Sequence, residues 1–340
     1  SVECFRAQFT EPAMAALAIP SIEIFESFAE VIGIPDYDIS IRHQGYLFVT
    51  DDPEMVSDLE EAVEKHRLLG VTDSEFLTSN ELHTRFPYLS EEAVAATFRQ
   101  QDGWLSSHEA TQGFAKGSNA RFLLCSKATD ILQDAHGVCG VKTSRGTIST
   151  RTVVNAAGPF AGMIGRMAGL TLPLEPVRRQ KVFIAPKPEI PQDAPLSIDL
   201  VQDVYWRPEV GGAFIAWVNP DEPVSEPAEE IPTDPHIGAI VLDKLIRLFP
   251  FWEEIADSLK RADVQPSAGQ YVYTPDEQPL IGPMPELPGF YMNWMLSPAA
   301  GKRVADLVTG AMDPQDNPLR PTRYDEGIVF EGDSFLRGRH

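Results

Sequence analysis

The chain of 340 residues is poor in cysteine and in basic side chains. Its cysteines, Cys4, Cys125 and Cys139, are too few and too scattered for a disulfide framework, so we expect a reducing, cytoplasmic location. No run of 18 apolar residues occurs, and we therefore expect no membrane-spanning helix. Lys and Arg number 28 against 50 Asp and Glu, which gives a net charge of −22. Such an acidic surface repels phosphate backbones, so we expect no nucleic-acid partner.

Two kinds of catalytic motif are also missing from the sequence. There is no serine-nucleophile elbow, and the His, Cys, Asp and Glu residues do not cluster at metal-ligand spacing, so we predict no metal site. What is present is the composition of a globular protein, with 43% hydrophobic and 23% charged residues. The length exceeds that of one small core and predicts two domains.

Hydrophobic periodicity and turn residues predict both helices and strands. Helices are expected over residues 11–32, with Pro20 as a break or a second start, 53–69, 107–116, 159–168 and 237–248, plus a short helix capped by Asn80. Strands are expected over residues 45–50, 94–99, 121–125, 128–133, 138–143, 148–155, 181–185, 204–207, 212–218, 263–273 and 289–293. The strands between 121 and 155 predict a meander, and residues 152–157 are apolar enough to be buried on both faces.

The most informative stretch covers residues 273–310. It contains a Thr-Pro-Asp turn, an apolar Pro-Leu-Ile-Gly step, a short strand and a helix. Ser297 is the predicted N-cap of that helix, Pro298 its first residue, and Gly310 the left-handed residue that ends it. The N-terminus of such a helix presents free N–H groups and a partial positive charge, which suit an anion. From the spacing alone, a well-capped terminal helix with no ligand is the simpler interpretation.

The same stretch resembles a known flavin-binding signature. Its Thr-Pro-Asp turn, Pro-Leu-Ile-Gly step and Ser-Pro-Ala-Ala-Gly-Lys segment are similar to the C-terminal signature of the FAD-dependent D-amino-acid-oxidase superfamily, within the sarcosine oxidase, glycine oxidase and proline dehydrogenase β-subunit group. The resemblance implies an α/β (α+β) fold, with a Rossmann-like FAD-binding domain of the glutathione-reductase type and a substrate domain with a mostly antiparallel sheet. The FAD-binding domain is expected over residues 1–38, 99–170 and 272–340, and the substrate domain over 39–98 and 171–271.

The resemblance also implies which residues contact FAD. Ala156, Ala157 and Gly158 match a family segment beside the dinucleotide, and Ala128 matches a strand position near the adenine. Small residues let a ligand approach closely, although any strand-to-helix turn can carry them. The residues that match within the C-terminal signature are Asp276, Gly282, Ser297 and Pro298.

The substrate residues implied by the resemblance are Arg6 and Tyr271. Arg6 matches an arginine that grips the substrate carboxylate in sarcosine-oxidase-like members, and its planar guanidinium suits bidentate binding. Tyr271 matches a pocket residue over the flavin. The alternatives are a solvated surface arginine and a buried core tyrosine. Gly269 stands where some sarcosine oxidases carry a linking cysteine, so FAD is expected to be non-covalent.

Two parts of the family pattern are absent from the sequence. The family opens with a G-x-G-x-x-G segment that holds the pyrophosphate, and no such segment occurs here. The family's Gly-rich loop before the last helix is also missing, because residues 293–297 join strand and helix directly. Since the flanking residues match, we expect that flavin-contacting segments of a longer chain are omitted. An intact mass near 37.6 kDa would contradict this expectation.

The reaction implied by the resemblance is oxidation of the C–N bond of an amino acid or N-methyl amino acid such as sarcosine, glycine or proline, by hydride transfer to the flavin. Oxygen or an electron-acceptor protein would take the electrons, and an oligomer is compatible with the sequence. Two alternatives stay open. One is the FAD-containing subunit of a heteromeric dehydrogenase, and the other is a non-catalytic family member without flavin.

Overall fold

A computed structural model of the chain describes residues 2–332. Its strands are β1 (Cys4–Phe5), β2 (Tyr46–Thr50), β3 (Glu75–Thr78), β4 (Ala95–Arg99), β5 (Gly103–Trp104), β6 (Ala128–Asp134), β7 (Gly137–Thr143), β8 (Gly146–Ser149), β9 (Val153–Asn155), β10 (Glu175–Ile184), β11 (Leu196–Asp199), β12 (Val204–Glu209), β13 (Gly212–Trp217), β14 (Val264–Tyr273), β15 (Leu280–Pro283) and β16 (Phe290–Trp294). Its α-helices are α1 (Pro12–Glu26), α2 (Phe28–Ile32), α3 (Val56–Leu68), α4 (Ser79–Arg85), α5 (Ser107–Gly117), α6 (Ala161–Met167), α7 (Ile237–Leu245), α8 (Phe251–Ser258) and α9 (Ala299–Thr309).

The largest element is an eight-stranded sheet in the order β14-β10-β13-β12-β11-β2-β4-β3. Every neighbouring pair is antiparallel except β11 and β2, which are parallel. One face packs against α7 and α8 and forms a core that contains Trp206 and Trp252, both fully buried. Because side chains alternate across a strand, Tyr205 beside Trp206 points to the opposite face. That opposite face lines the main cavity of the molecule.

Three smaller sheets complete the fold. Strands β15, β16 and β9 form one sheet, in which β16 and β9 are parallel. Strands β6, β7 and β8 form the predicted meander, and β1 pairs with β5. Helix α9 follows β16 and packs against β15, β16 and α1. The mixed α/β architecture with mostly antiparallel sheets confirms the predicted fold class. Within residues 2–332, the helices are too short or too polar to cross a bilayer.

The structure corrects several predicted elements around the meander. Residues 121–125 form no strand, and Phe122, Leu123 and Leu124 are exposed, because the described part of the chain offers them no pairing edge. The predicted strand 148–155 is split into β8 and β9 by residues 150–152. Residues 152–157 are not buried on both faces, since Val154 is exposed.

Two helix predictions also differ from the structure. Pro20 neither breaks nor starts a helix, because α1 runs through it and the hydroxyl of Ser21 donates a hydrogen bond to the Leu17 carbonyl. Asn80 lies inside α4 rather than capping it. Thr78 is the N-cap of α4, and Glu81 completes a capping box.

Candidate active site

A cavity of about 570 Å³ lies over the free face of the eight-stranded sheet. The sheet contributes aromatic and aliphatic side chains to its lining, and the chain segments across from the sheet contribute Phe9, Trp294, Met295, Leu296 and Phe330. The predicted substrate residues Arg6 and Tyr271 both line this cavity. Cavities of this size are typical of small-molecule sites. The lining also includes the acidic residues Asp203, Asp276, Glu277 and Glu331.

Arg6 is fixed on the cavity wall by aromatic stacking and by a buried polar network. Its guanidinium lies 4.0 Å from the ring centroid of Phe9 and 5.2 Å from that of Phe48, and it donates to the Gln8 carbonyl. The neighbouring backbone is held by Asp102, which accepts from Ala7 N–H at 2.9 Å and from Gln8 Nε2 at 3.1 Å. A stacked, positioned guanidinium loses little conformational freedom when it binds a carboxylate.

Burial raises the pKa of Asp102, and the ion pair with Arg99 opposes that rise. Asp102 is completely buried, so its hydrogen bonds to the Arg6–Phe9 segment are shielded from water. The strands that place these groups are distant in sequence, since Ala7 and Asp102 are 95 residues apart. Asp102 is therefore a positioning residue for Arg6.

Tyrosine side chains form the polar part of the sheet face. Tyr46 on β2, Tyr205 on β12 and Tyr271 on β14 all line the cavity. Burial is the main cause that raises the pKa of the Tyr46 and Tyr205 hydroxyls above the ordinary value. Tyr271 is 46% exposed, and a tyrosine hydroxyl is neutral at pH 7 even at its ordinary pKa of about 10. All three are therefore neutral at physiological pH and can donate hydrogen bonds to a ligand.

The predicted cofactor residues occupy different surroundings. Asp276 lines the cavity, but its carboxylate accepts from Arg323 Nε at 3.0 Å and Nη2 at 2.9 Å, so it also holds the turn in place. Gly282 lies beneath Pro321 and Asn317. Ala128, Ala156, Ala157, Gly158, Gly282, Ser297 and Pro298 are not among the lining residues. Ser297 and Pro298 directly follow Leu296, which is one of them.

The start of helix α9 corrects one prediction. Ser297 does not cap it, because Pro298 occupies the N-cap position and provides no side-chain hydrogen bond. The hydroxyl of Ser21 in α1 instead accepts from Ala299 N–H at 3.1 Å. The predicted end of the helix is confirmed, since Gly310 adopts a φ of 75°.

Sequence reasoning missed most polar residues of the cavity wall. They include Tyr46, Tyr205, Arg179 and Tyr273, together with Asp203, Glu277, Gln278 and Glu331. The alternation of buried and less buried positions in β12 could have indicated Tyr205, because it stands next to buried Trp206. Arg179 gave no local signal, since its place in the cavity depends on the pairing of β10 with β13 and β14.

The cavity fits the ring system of a flavin better than its phosphates. Aromatic and aliphatic side chains around about 570 Å³ suit a planar heterocycle. Met295 and Leu296, with φ values of 73° and 57°, turn the backbone along the cavity. A glycine-rich cradle for a pyrophosphate is absent from the sequence, as described above.

Comparisons with known proteins agree with this geometry. The solved structure of L-proline dehydrogenase from P. horikoshii superimposes with a TM-score of 0.82 at 26% identity, covering 96% of this chain and 87% of that one. Glycine oxidase from Geobacillus kaustophilus gives a TM-score of 0.78 at 22% identity, covering 95% and 87%. Mitochondrial dimethylglycine dehydrogenase from Rattus norvegicus is 25% identical over 325 residues, which include 89% of this chain but only 38% of that protein's length.

The family assignment rests on a direct sequence match. Residues 3–307 match the model of the DAO family, described as FAD dependent oxidoreductase. The match spans every element that lines the cavity except the segment at Phe330. The chain therefore belongs to the DAO family of FAD-dependent oxidoreductases.

Proposed function

We propose that this protein oxidises the C–N bond of an amino acid or N-methyl amino acid, with the reaction centre in the cavity between Arg6 and Tyr271. The observation that carries the proposal is the placement of a stacked guanidinium and several neutral tyrosine hydroxyls on one aromatic cavity. A carboxylate needs a fixed cation, and an uncharged amine suits neutral, apolar surroundings. The names of the similar proteins, dimethylglycine dehydrogenase and L-proline dehydrogenase, support the same substrate class.

In this proposal, each residue has a separate task. Arg6 binds the substrate carboxylate through two parallel N–H···O bonds, and Asp102 keeps the Arg6 segment in place. Tyr271 closes the cavity over the amine, while Phe9 and Phe48 exclude water around the carboxylate pair. The bound FAD supplies the hydride acceptor. Trp294, Met295 and Leu296 would border its ring system, and Gly269 leaves the cofactor without a covalent link at that position.

The predicted division into two domains is part of the proposal. The eight-stranded sheet draws its strands from residues 46–99 and 175–273, which supports a substrate domain built from two stretches of chain. Strands β9, β15 and β16 with α9 would belong to the FAD-binding domain. The cavity would then lie where the two domains meet, a common place for ligand sites.

Substitution of Arg6 tests the proposal. We expect Arg6→Met, assayed with FAD and an added electron-accepting dye under anaerobic conditions, to raise the KM for sarcosine or proline about 10²-fold or more, because a charge-assisted bidentate pair is lost. Arg6→Lys should recover part of that loss. Lys181→Met is the matched control, because it removes a cation from the eight-stranded sheet at a position outside the cavity lining. Equal KM values for the wild type and Arg6→Met would contradict the proposal.

A second candidate is a subunit that passes electrons to a partner protein. The exposed side chains of Phe122, Leu123 and Leu124 favour it, because contiguous exposed apolar residues are typical of interaction surfaces. Peroxide formation by the isolated chain during turnover in air decides between the two. Stoichiometric peroxide would identify an oxidase, and turnover that requires an added acceptor would favour the subunit.

A further inference from the structure

The cavity contains cations at two separated places. Among the described residues that line it, the cationic side chains are Arg6 and Arg179. Arg6 stacks on Phe48 of β2, whereas Arg179 belongs to β10. Strands β13, β12 and β11 lie between β10 and β2, so four strand spacings of about 4.8 Å put the axes of β10 and β2 about 19 Å apart, and we take this as the scale of the distance between the two cations. One small carboxylate cannot reach both guanidinium groups.

Arg179 is held by neutral groups, so no hydrogen-bonded carboxylate offsets its charge. Its Nε and Nη2 donate to the hydroxyl of Tyr273 at 3.2 and 2.9 Å, and its Nη1 donates to the carbonyls of Arg178 and Asn219. The guanidinium also stacks on the Tyr273 ring, 5.3 Å from the centroid. These contacts fix the orientation of Arg179 at the cavity wall.

The pair of Arg179 and Tyr273 presents unused donors. The Tyr273 hydroxyl accepts two N–H bonds, which leaves its own hydrogen to donate. Within residues 2–332, that hydrogen and one Nη2 hydrogen of Arg179 have no acceptor. Two donors beside a positive charge suit one carboxylate group. Glu277 also lines the cavity, and no ion pair joins it to Arg179 among the described contacts. Burial raises the pKa of its carboxyl group and the charge of Arg179 opposes that rise, so a ligand carboxylate would compete with Glu277 for Arg179.

We propose that Arg179 and Tyr273 form a second carboxylate-binding subsite, and that the substrate is an elongated amino acid with a second acidic group far from the reacting amine. This inference rests on the proposed function, because it takes Arg6 as the ligand of the first carboxylate. Tyr46, Tyr205 and Tyr271 line the path between the two cations. A simple amino acid such as sarcosine would fill one end of the cavity and leave the Arg179 subsite without a partner.

The separation of the cations sets the length of the substrate. A carboxylate carbon lies roughly 4 Å from the guanidinium carbon that binds it. If the guanidinium carbons are separated by about the 19 Å between the strand axes, subtracting one such contact at each end leaves about 11 Å between the two carboxylate carbons. An extended chain advances about 1.2 Å per bond, so eight or nine bonds span this distance. N-(5-carboxypentyl)glycine has this length.

A series of N-substituted glycines tests the inference on the full chain loaded with FAD, with an added electron-accepting dye to reoxidise the flavin. The substrates are sarcosine, N-(carboxymethyl)glycine, N-(3-carboxypropyl)glycine and N-(5-carboxypentyl)glycine, with N-hexylglycine as the uncharged control. We expect the kcat/KM for N-(5-carboxypentyl)glycine to exceed that for N-hexylglycine by about 10- to 100-fold, from charged hydrogen bonds. Arg179→Met should abolish this preference, Tyr273→Phe should reduce it, and both should leave the kcat/KM for sarcosine within about twofold.

Several outcomes would overturn the inference. One is a wild type that does not prefer the long dicarboxylate. Another is an Arg179→Met variant that loses activity equally on sarcosine and on N-(5-carboxypentyl)glycine, or that binds FAD more weakly in a fluorescence titration. Either result would assign Arg179 to the cofactor or to the fold. Lys181→Met, two residues along β10 and outside the cavity lining, is the matched control.

A binding measurement separates this inference from the proposed function. N-acetyl-N-(5-carboxypentyl)glycine keeps both carboxylates but has no oxidisable amine. Calorimetry with this compound should show binding that requires both Arg6 and Arg179, whether or not the enzyme oxidises any amine. Binding without turnover of any glycine derivative would support the subsite and reject the proposed reaction. If sarcosine is turned over but binding of this compound does not depend on Arg179, the proposed reaction is supported and the subsite is rejected.

Discussion

The guanidinium of Arg323 donates to both carboxylate oxygens of Asp276, and both side chains are buried. Arg323 lies in the segment after α9, whereas Asp276 belongs to the Thr-Pro-Asp turn at the cavity. Tyr324 Oη also donates to Asp276 Oδ1 at 2.7 Å. The pair thereby ties the C-terminal segment, which brings Phe330 to the cavity, to the turn that follows β14.

Breaking this pair should strongly destabilise the protein. Arg323→Met leaves a buried carboxylate without its cation, and we expect the free energy of unfolding to fall by about 3–5 kcal/mol. Lys302→Met is the matched control, because the Lys302–Asp306 pair is exposed and should contribute less than about 1 kcal/mol. Chemical denaturation of the three proteins measures the difference. Similar losses in both variants would contradict a special role for the buried pair.

The stability of the protein should depend on the ionisation of Asp199. Burial raises the pKa of Asp199 to about 6, although its Oδ1 accepts two backbone N–H bonds. Because the folded-state pKa is above the unfolded value near 3.8, the folded state favours the proton. The protonated Asp199 side chain therefore makes its full contribution to the free energy of unfolding below pH 4. This contribution is lost as the pH rises through 6. The loss should approach about 3 kcal/mol by pH 7.5.

Replacement of Asp199 checks this pH dependence. Asp199→Asn keeps the hydrogen-bond acceptor and removes the titration, so its free energy of unfolding should change less between pH 4.5 and 7.5 than that of the wild type. It should also exceed the wild-type value at pH 7.5. Asp257→Asn, at an exposed position, is the control. A variant with the wild-type pH profile would rule out Asp199 as the source.

Helix α9 offers a matched pair of glycine substitutions. Gly310 ends the helix with a φ of 75°, so Gly310→Ala should cost about 1 kcal/mol or more. Gly301 lies within the same helix, and a Cβ there meets no atom within 4 Å. Gly301→Ala should therefore stabilise the protein by about 0.5–1 kcal/mol. Thermal unfolding should move the two melting temperatures in opposite directions, and shifts of the same sign would contradict this account.

The contact between Ser21 and Ala299 makes a further prediction. Ser21→Ala removes the hydroxyl that accepts from the buried N–H of Ala299, and we expect a loss of about 1 kcal/mol. Ser27→Ala removes a hydroxyl that bonds to the Glu23 carbonyl at an exposed site, so it should cost less. Equal costs in a denaturation experiment would show that the contact between α1 and α9 contributes little.

The same contact illustrates what the sequence could predict and what it could not. Local patterns predicted the bounds of α3, α5, β2 and β4 to within a few residues, because periodicity and turn residues are local signals. The cap of α9 comes from Ser21, 278 residues away, and no local pattern reports such a partner. Residues 121–125 have the composition of a strand, but a strand also requires an edge to pair with.

The residues of the candidate site also fall into those that the sequence could predict and those that it could not. Arg6 and Tyr271 could be predicted because they stand in segments that resemble family motifs. Arg179 could not, because its place at the cavity depends on the pairing of β10 with β13 and β14. The predicted contacts of Ala128, Ala156, Ala157, Gly158, Asp276, Gly282, Ser297 and Pro298 with FAD stay predictions, as do the roles of Arg6 and Tyr271 and the cytoplasmic location.

The most direct test of the account is the visible absorption spectrum of the protein with bound FAD, recorded under anaerobic conditions before and after addition of sarcosine, proline or N-(5-carboxypentyl)glycine. The account predicts that at least one amine bleaches the flavin bands, and that Arg6→Met requires a much higher amine concentration for the same bleaching. A bound flavin whose spectrum none of these amines changes would contradict the proposed oxidation of a C–N bond.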